Sequence, residues 1–315
     1  HHRVTAETLD ALVKKLRASE GFVFDLETTS LDPHVAEIVG MAFSFANAEA
    51  YYIGAEESLG ESAFELFPVE LDFKAHLAKL KPVLEDPSVP KGGQNVKYDV
   101  MVLANNGVMV QGVAFDTLLE SYVLDPSGTH GLDSLAVRYL GYRKIATREV
   151  IGSGKTQRSM RDTPDQEIFP YASEDADITF RLHRLFTSRL GQVPALATLY
   201  GETELPLLPV LMKMEQTGIA IDVAALSAIS SEFKERLRTL EDAIHSEAGG
   251  PFNLGSPKQL GAVLFEKLEL HKKAGTRLRK TATGAISTNH EVLEELAETQ
   301  PLAVKILEHR SLEKL

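Results

Sequence analysis

The sequence contains no cysteine. That excludes disulfides, zinc–thiolate centres and thiol catalysis, and it fits a reducing cytoplasm. No apolar run reaches the roughly 18 residues of a membrane helix, and the N-terminus lacks the pattern of a signal peptide, so no membrane partner is expected. There is neither an internal repeat nor a low-complexity tract. Net positive charge is absent as well: 45 acids against 33 lysines and arginines give a formal net charge of −12, which argues against a protein that coats nucleic acid through bulk electrostatics. What is present is ordinary for a folded chain. At 315 residues, 43% hydrophobic and 25% charged, there is enough material for two cores, or for one domain and a helical annex. His1-His2 reads as a tag remnant and stays outside the fold argument.

Two local basic stretches stand out against this background. Lys272, Lys273, Arg277, Arg279 and Lys280 follow one another without an intervening acid, and Arg143 to Arg161 carries Lys144, Arg148, Lys155 and Arg158 against Glu149 alone. Each stretch by itself also reads as a solvated loop. Strand signals fill the first sixty residues: Phe22 to Glu27 alternates, and Ile38 to Phe45 and Tyr51 to Ile53 are β-rich, close enough together to pair as antiparallel neighbours. After Pro68 the pattern turns helical, with Phe73, Leu77, Leu80 and Leu84 at helical spacing. β-like pieces near Val89 and Val113 alternate with further helices, which predicts an α/β layer arrangement of helices on a mixed sheet. From about residue 195 the pattern is all-helical. Leu226, Ile229, Phe233, Leu237, Leu240 and Ile244 form a stripe closed by Gly249-Gly250, and Ser256 to Gln259 and Thr288 to Glu291 read as capping boxes. The domain boundary is expected near Leu190 to Pro194, giving domains 1–190 and 191–315.

Candidate chemistry rests on acids. Residues two apart in a strand share a face, so Asp25 and Glu27 point together while Phe22, Phe24 and Leu26 pack behind them. Two carboxylates aimed together repel unless a cation or proton lies between them; taken alone, the pair also reads as a strand end reaching solvent. Tyr171 and Asp175 lie one helical turn apart, with Pro170 suited to the first position of their helix and Ile178, Leu182 and Leu185 continuing an apolar stripe. Tyr171 alone also reads as a core tyrosine. Asp99 follows Gly92-Gly93-Gln94-Asn95, a loop that should start a helix. Asp165-Gln166-Glu167, another pair of nearby acids, is given no role.

FDLETTSL, GQNVKYD and YASEDADIT, in this order and spacing, closely resemble the three exonuclease motifs of the proofreading domain of bacterial family A DNA polymerases. That family belongs to the DEDD exonucleases with a tyrosine in the last motif. The resemblance implies an RNase H-like mixed sheet with flanking helices. It also implies a 3′–5′ DNA exonuclease that hydrolyses 3′-terminal nucleotides with two divalent cations, Mg²⁺ or Mn²⁺. Asp25, Glu27, Asp99 and Asp175 match the metal-binding carboxylates, Tyr171 the residue that orients the attacking water, and Leu31, Gln94 and Asn95 positions contacting the 3′ end. Thr147 stands where the family often carries an aromatic. LPLLPVLMKMEQTGIAIDVAAL, FNLGSPKQLGAVLFEKLEL, KKAGTRLRKTATGAISTNHEVLEELA and ILEHRSLEKL resemble the start of the same family's polymerase domain, an all-α partial thumb. Ending there, without palm or fingers, the chain is expected to be an excerpt that works in cis with the rest of a polymerase and incorporates no nucleotide itself.

The partners so implied are a single-stranded DNA 3′ end in the exonuclease site and a primer–template duplex at the thumb, where Lys272, Lys273, Arg277, Arg279 and Lys280 should form an exposed tip. A cytoplasmic monomer acting in DNA replication and repair is expected. Two rival readings are an RNase D-like 3′–5′ exoribonuclease, which leaves the thumb-like half unexplained, and a non-catalytic module that binds primer ends, which leaves the full set of acids unexplained. Gly152-Ser153-Gly154-Lys155-Thr156 imitates the end of a P-loop, but position 149 is glutamate where the pattern needs glycine, and no strand signal leads into it. It reads better as a basic loop near the digested strand.

Overall fold

The computed structural model describes residues 1–54, 73–281 and 284–315; the start of the helical pattern at Pro68 lies outside them. The chain forms two compact units, residues 1–218 and 219–315. The domain boundary expected near Leu190 to Pro194 lies within the first of these compact units. Helices α8 (Pro194–Leu199) and α9 (Leu205–Thr217) belong to the first unit, where Leu208 is part of the core and Lys97 pairs with Glu215.

The first unit is built on a six-stranded sheet of order β1-β4-β3-β2-β5-β6. β2 (Phe22–Thr28), β3 (Ile38–Ala46) and β4 (Glu49–Gly54) form the expected antiparallel meander. β5 (Lys91–Gly93) and β6 (Val113–Asp116) extend it in parallel. At the other edge β1 (His2–Arg3), which includes one residue of the His1-His2 pair left out of the fold argument, runs parallel to β4 opposite Tyr51 and Tyr52. Gly92 has no room for a side chain, because a Cβ there would lie 2.1 Å from the Phe115 carbonyl oxygen. The resemblance implied this mixed RNase H-like sheet.

Alternation along β2 divides the core. Phe22, Phe24 and Leu26 pack with Leu12 and Leu16 of α1 (Leu9–Ala18), Leu80 and Leu84 of α2 (Lys74–Leu84) and Val100 of α3 (Val96–Asn105). Val23 packs on the other face, with Ala42 of β3 and Ala172 and Ala176 of α7 (Asp165–Gly191). Small residues at 42, 172 and 176 let this long helix lie close to the sheet. Between α3 and α7 come α4 (Thr117–Leu124), α5 (Leu132–Leu135) and α6 (Thr147–Ile151). The P-loop imitation follows α6 rather than a strand, and its Gly154–Thr156 is a single 3₁₀ turn.

α7 starts at Asp165, so Pro170 sits inside it and not at its first position. Asp165 and Glu167 place negative charge in the first turn, which the helix dipole favours. The proline this early forfeits one backbone hydrogen bond. Asp165 thus has a structural place: it starts α7 and pairs with Arg3.

In the second unit α10 (Val223–Ala248) packs against α14 (Pro301–Glu313) around a core that includes Ile244, Leu264, Leu293 and Ile306. The α10 stripe is buried only toward its C-terminal end, while Leu226 and Ile229 remain exposed. α14, at 13 residues, is half as long as the 26-residue α10, and cross-links such as Arg236–Glu308 and Lys305–Glu247 lie in the latter's second half. α11 (Pro257–Gly261) is capped by Ser256 as expected, but the Gln259 side chain accepts from Asn253 N–H instead of closing the box. α12 (Leu270–Ala274) precedes the rest of the basic run. α13 (His290–Ala297) is capped by Asn289, one residue later than Thr288, because the Asn289 side chain reaches the Val292 N–H at 3.1 Å.

Candidate active site

Three elements bring four acids to one place. Asp25 and Glu27 project from the α7 side of β2, opposite Ala42 and Gly40 of β3. Asp99 lies in the first turn of α3 and accepts a 3.0 Å hydrogen bond from Leu26 N–H, which ties the helix to the strand between the other two acids. Asp175 comes from α7 and is buried with Glu27 and Asp99. Burial pushes Asp25 up to about 7, against the pull of Lys144. Asp175 is pushed up to about 8 by burial, again against Lys144 and with a further push from Asp25. Glu27 is held well above the carboxylate range by burial, then by repulsion from Asp25, Asp175 and Asp99. Asp99 is raised by burial and by Asp25.

These groups repel one another in a desolvated place, the situation in which a bound cation lowers the free energy most. The all-oxygen donor set suits a hard divalent ion. Among the described residues no three His, Asp or Glu side chains close up around a single point as an ion requires. The ammonium of Lys144 stands among the acids, 2.9 Å from Asp175 Oδ1.

Tyr171 borders the group on α7. Its ring lies 4.8 Å from Lys144 Nζ, and its hydroxyl makes a 3.0 Å hydrogen bond with Thr147 Oγ1. Burial and then the charge of Asp175 raise its pKa, so the phenol keeps its proton. Thr147 therefore holds the tyrosine. Glu27, Leu31, Asn95, Thr147 and Tyr171 all line one cleft of about 840 Å³. Leu31 stands 96% exposed at its rim. Asn95 caps α3 in a left-handed conformation, φ 57°. Gln94 is different: its amide nitrogen donates to the His130 carbonyl at 2.9 Å and its amide oxygen accepts from Thr117, so its side chain is engaged within the protein.

Several supporting residues carry no motif of their own. Asp116 accepts from Asn95 N–H at 3.0 Å, Val96 N–H at 3.0 Å and Leu118 N–H at 2.8 Å, holding the starts of α3 and α4 with one carboxylate. The other acids of the α7 motif have separate tasks. Glu174 accepts from the Tyr142 hydroxyl and from Ile145 N–H, while Asp177 accepts from Ala48 N–H in the β3–β4 turn. In sequence, all of these look like further surface charge.

The basic run belongs to the second unit. All five of its cations are exposed, but Lys272 pairs with Glu269, and Arg279 pairs with Glu295 at 3.0 Å and Glu291 at 3.6 Å. Lys273, Arg277 and Lys280 make no ion pair among the described residues.

A cleft lined by Glu27 and a protonated tyrosine, with three further acids beside it on a mixed RNase H-like sheet, has the form of an exonuclease domain. The chain belongs to the family A DNA polymerases: residues 3–191 match the family's 3′–5′ exonuclease model and residues 223–315 its DNA polymerase model. It is 44% identical to DNA polymerase I of Pseudomonas aeruginosa over 97% of this chain and 33% of that protein. With DNA polymerase I of Rhizobium leguminosarum the identity is 39%, over 98% of this chain and 31% of that protein. The chain thus spans about a third of the length of these relatives. A solved structure of the polymerase domain of Pol1 from M. smegmatis, in complex with DNA primer-template and dNTP, aligns with a TM-score of 0.72 and 27% identity. That alignment covers 100% of this chain and 48% of the other. No helix among the described residues is long and apolar enough to cross a membrane.

Proposed function

We propose that the first unit removes 3′-terminal nucleotides from DNA by metal-dependent hydrolysis, with Asp25, Glu27, Asp99 and Asp175 as the ligands of two divalent cations, Mg²⁺ or Mn²⁺. The observation that carries this reading is the convergence of these four acids, from β2, α3 and α7, on a buried place beside a cleft. When bound, such cations supply the positive charge against which a phosphodiester is attacked by water and the departing 3′ oxygen is stabilised.

The chain's own residues do the rest. Tyr171, protonated and fixed by Thr147, is suited to orient a water by hydrogen bonding and not to act as a base. Leu31, Gln94 and Asn95 would meet the terminal nucleotides; in support, Leu31 and Asn95 line the cleft, while Gln94 is held by its bond to the His130 carbonyl. The second unit, on this reading, is the beginning of a thumb that holds primer–template duplex, and the protein works as a cytoplasmic monomer in cis with the rest of a polymerase.

The test is digestion of end-labelled single-stranded DNA and RNA with Mg²⁺, with EDTA and with Asp99→Ala protein. Metal-dependent shortening of DNA from the 3′ end, lost in the variant, is expected. A preference for RNA would favour an exoribonuclease, and binding of 3′ ends without cleavage would favour a non-catalytic module.

A further inference from the structure

Lys144 is out of keeping with its segment. Its neighbours Arg143 and Arg148 are exposed, whereas its own side chain is only 2% exposed. The ammonium lies 2.9 Å from Asp175 Oδ1 on one side and 2.9 Å from Asp133 Oδ1 on the other, and it donates to the Ile145 carbonyl at 2.7 Å. The two acids differ. Asp175 belongs to the buried acid group, while Asp133 is 58% exposed. Glu174 holds the segment on both sides of the lysine, accepting from the Tyr142 side-chain hydroxyl and from the Ile145 backbone N–H, so the lysine is delivered to this place by built structure.

A buried ammonium costs stability unless buried opposite charge surrounds it, and here that charge is the acid group itself. An ammonium and a divalent cation are alternative occupants of an oxygen-lined place, since both relieve the same repulsion. We propose that Lys144 is the resident counter-ion of the acid cage, standing in for one divalent cation when metal is away and withdrawing toward Asp133 when metal binds. This rests on the reading of the four carboxylates as metal ligands. The ammonium would keep the metal-free cage from being forced apart by its own charge. It would also weaken metal binding, because each ion must first displace it. By reciprocity, whatever lysine and metal cost each other is the same seen from either side.

The experiment is a Mn²⁺ titration of the full chain, reading free Mn²⁺ by electron paramagnetic resonance, together with melting in EDTA and in saturating Mn²⁺. Lys144→Met should bind Mn²⁺ on the order of tenfold tighter than wild type, within the usual range of coupling between two ligands. It should melt lower than wild type in EDTA, and saturating Mn²⁺ should close that gap. Asp133→Asn leaves the ammonium to Asp175 alone and should weaken Mn²⁺ binding several-fold, more than Asp162→Asn, an exposed-acid control. In the Lys144→Met background the Asp133→Asn effect should shrink to that of the control, the non-additivity expected of groups that act through one another. If Lys144→Met does not fold, the Asp133→Asn comparison decides alone.

Mn²⁺ binding by Lys144→Met that equals or falls below wild type overturns the proposal and leaves Lys144 as a residue that orients Asp175. An Asp133→Asn effect no larger than the control does the same. Absence of Mn²⁺ uptake by wild type and variant alike sinks the cage reading itself, and this proposal with it.

Discussion

The two charged clusters of this molecule have opposite physics. Asp25, Glu27, Asp99 and Asp175 are like charges forced together out of water, each with its pKa raised by burial. Lys272, Lys273, Arg277, Arg279 and Lys280 are like charges left in solvent, where proximity costs little and local acids neutralise part of it. A fold keeps the first arrangement against a steady electrostatic penalty and the second at almost none. The acid cluster therefore argues strongly for a cation-dependent function, and the basic run argues only weakly for anything beyond solubility and sequence-independent binding to phosphates.

The sharpest way to break this contrast is to remove one acid. Asp25→Ala and Asp99→Ala should each lower Mg²⁺-dependent exonuclease activity by at least about 10²–10³-fold, the loss of several kcal/mol of charge stabilisation. Stability should separate them. Asp25→Ala relieves repulsion, whereas Asp99→Ala leaves the buried Leu26 N–H unpaired and should cost about 1–3 kcal/mol. Rates and urea melts on both proteins check this, and near-normal activity in either would remove that residue from the cage.

A smaller effect is expected beside the cage. Tyr171→Phe deletes one hydroxyl and should lower kcat by about tenfold to a hundredfold while leaving Mn²⁺ affinity unchanged. Thr147→Val, which only releases that hydroxyl, should lose less, and Thr147→Ser should behave as wild type. A Tyr171→Phe loss as large as that of Asp25→Ala would mean the tyrosine does more than orient water.

Acidity tests the same region without mutation. Asp25 and Asp175, pushed up to about 7 and about 8, bind protons more readily in the fold than in the unfolded chain, where aspartate titrates near ~3.9. Ionising a carboxylate whose folded pKa is raised costs stability. The metal-free protein should therefore lose a contribution to stability as pH rises from about 4 to about 8, and regain it on acidification. Melting in EDTA across that window should show a downward slope that Asp175→Asn flattens and Mg²⁺ removes. A slope that Asp175→Asn leaves unchanged would place the titration elsewhere.

At the other cluster the effects should be slight. Changing Lys273, Arg277 and Lys280 to Ser should flatten the salt dependence of duplex-DNA binding, by up to about 0.9 in log–log slope for each phosphate that is no longer neutralised. The paired Lys272 and Arg279 should contribute less, and single-strand digestion should hardly change. An unaltered slope, read from binding isotherms at several salt concentrations, would reduce the run to a solvated loop.

The legible parts of the sequence were those governed by short-range periodicity. Alternation placed Asp25 and Glu27 on one face of β2, and a four-residue spacing placed Tyr171 and Asp175 on one face of α7. Element ends were less legible where two residues compete for one role. Pro170 resembled a helix start, but Pro164 and the acids after it set the start earlier, and Thr288 resembled a cap that Asn289 supplies. The buried length of α10 depends on the length of α14, which no pattern within α10 encodes. The role of Lys144 was invisible because its partners, Asp133 and Asp175, are assembled only by the fold. The bonds of the Gln94 side chain within the protein were equally invisible, because His130 and Thr117 come near it only in the fold.

One carboxylate links the starts of two helices, α3 beside the cleft and α4 after it in sequence. Asp116 accepts from the Asn95 and Val96 amides at the start of α3 and from the Leu118 amide at the start of α4, so losing this one carboxylate would leave amides at both helix starts without their partner. Mechanically it is a rivet between the Asn95 turn and the beginning of α4. Burial pushes this carboxyl up to about 6, with the backbone N–H groups holding it down, so a proton arriving there would loosen both ends at once.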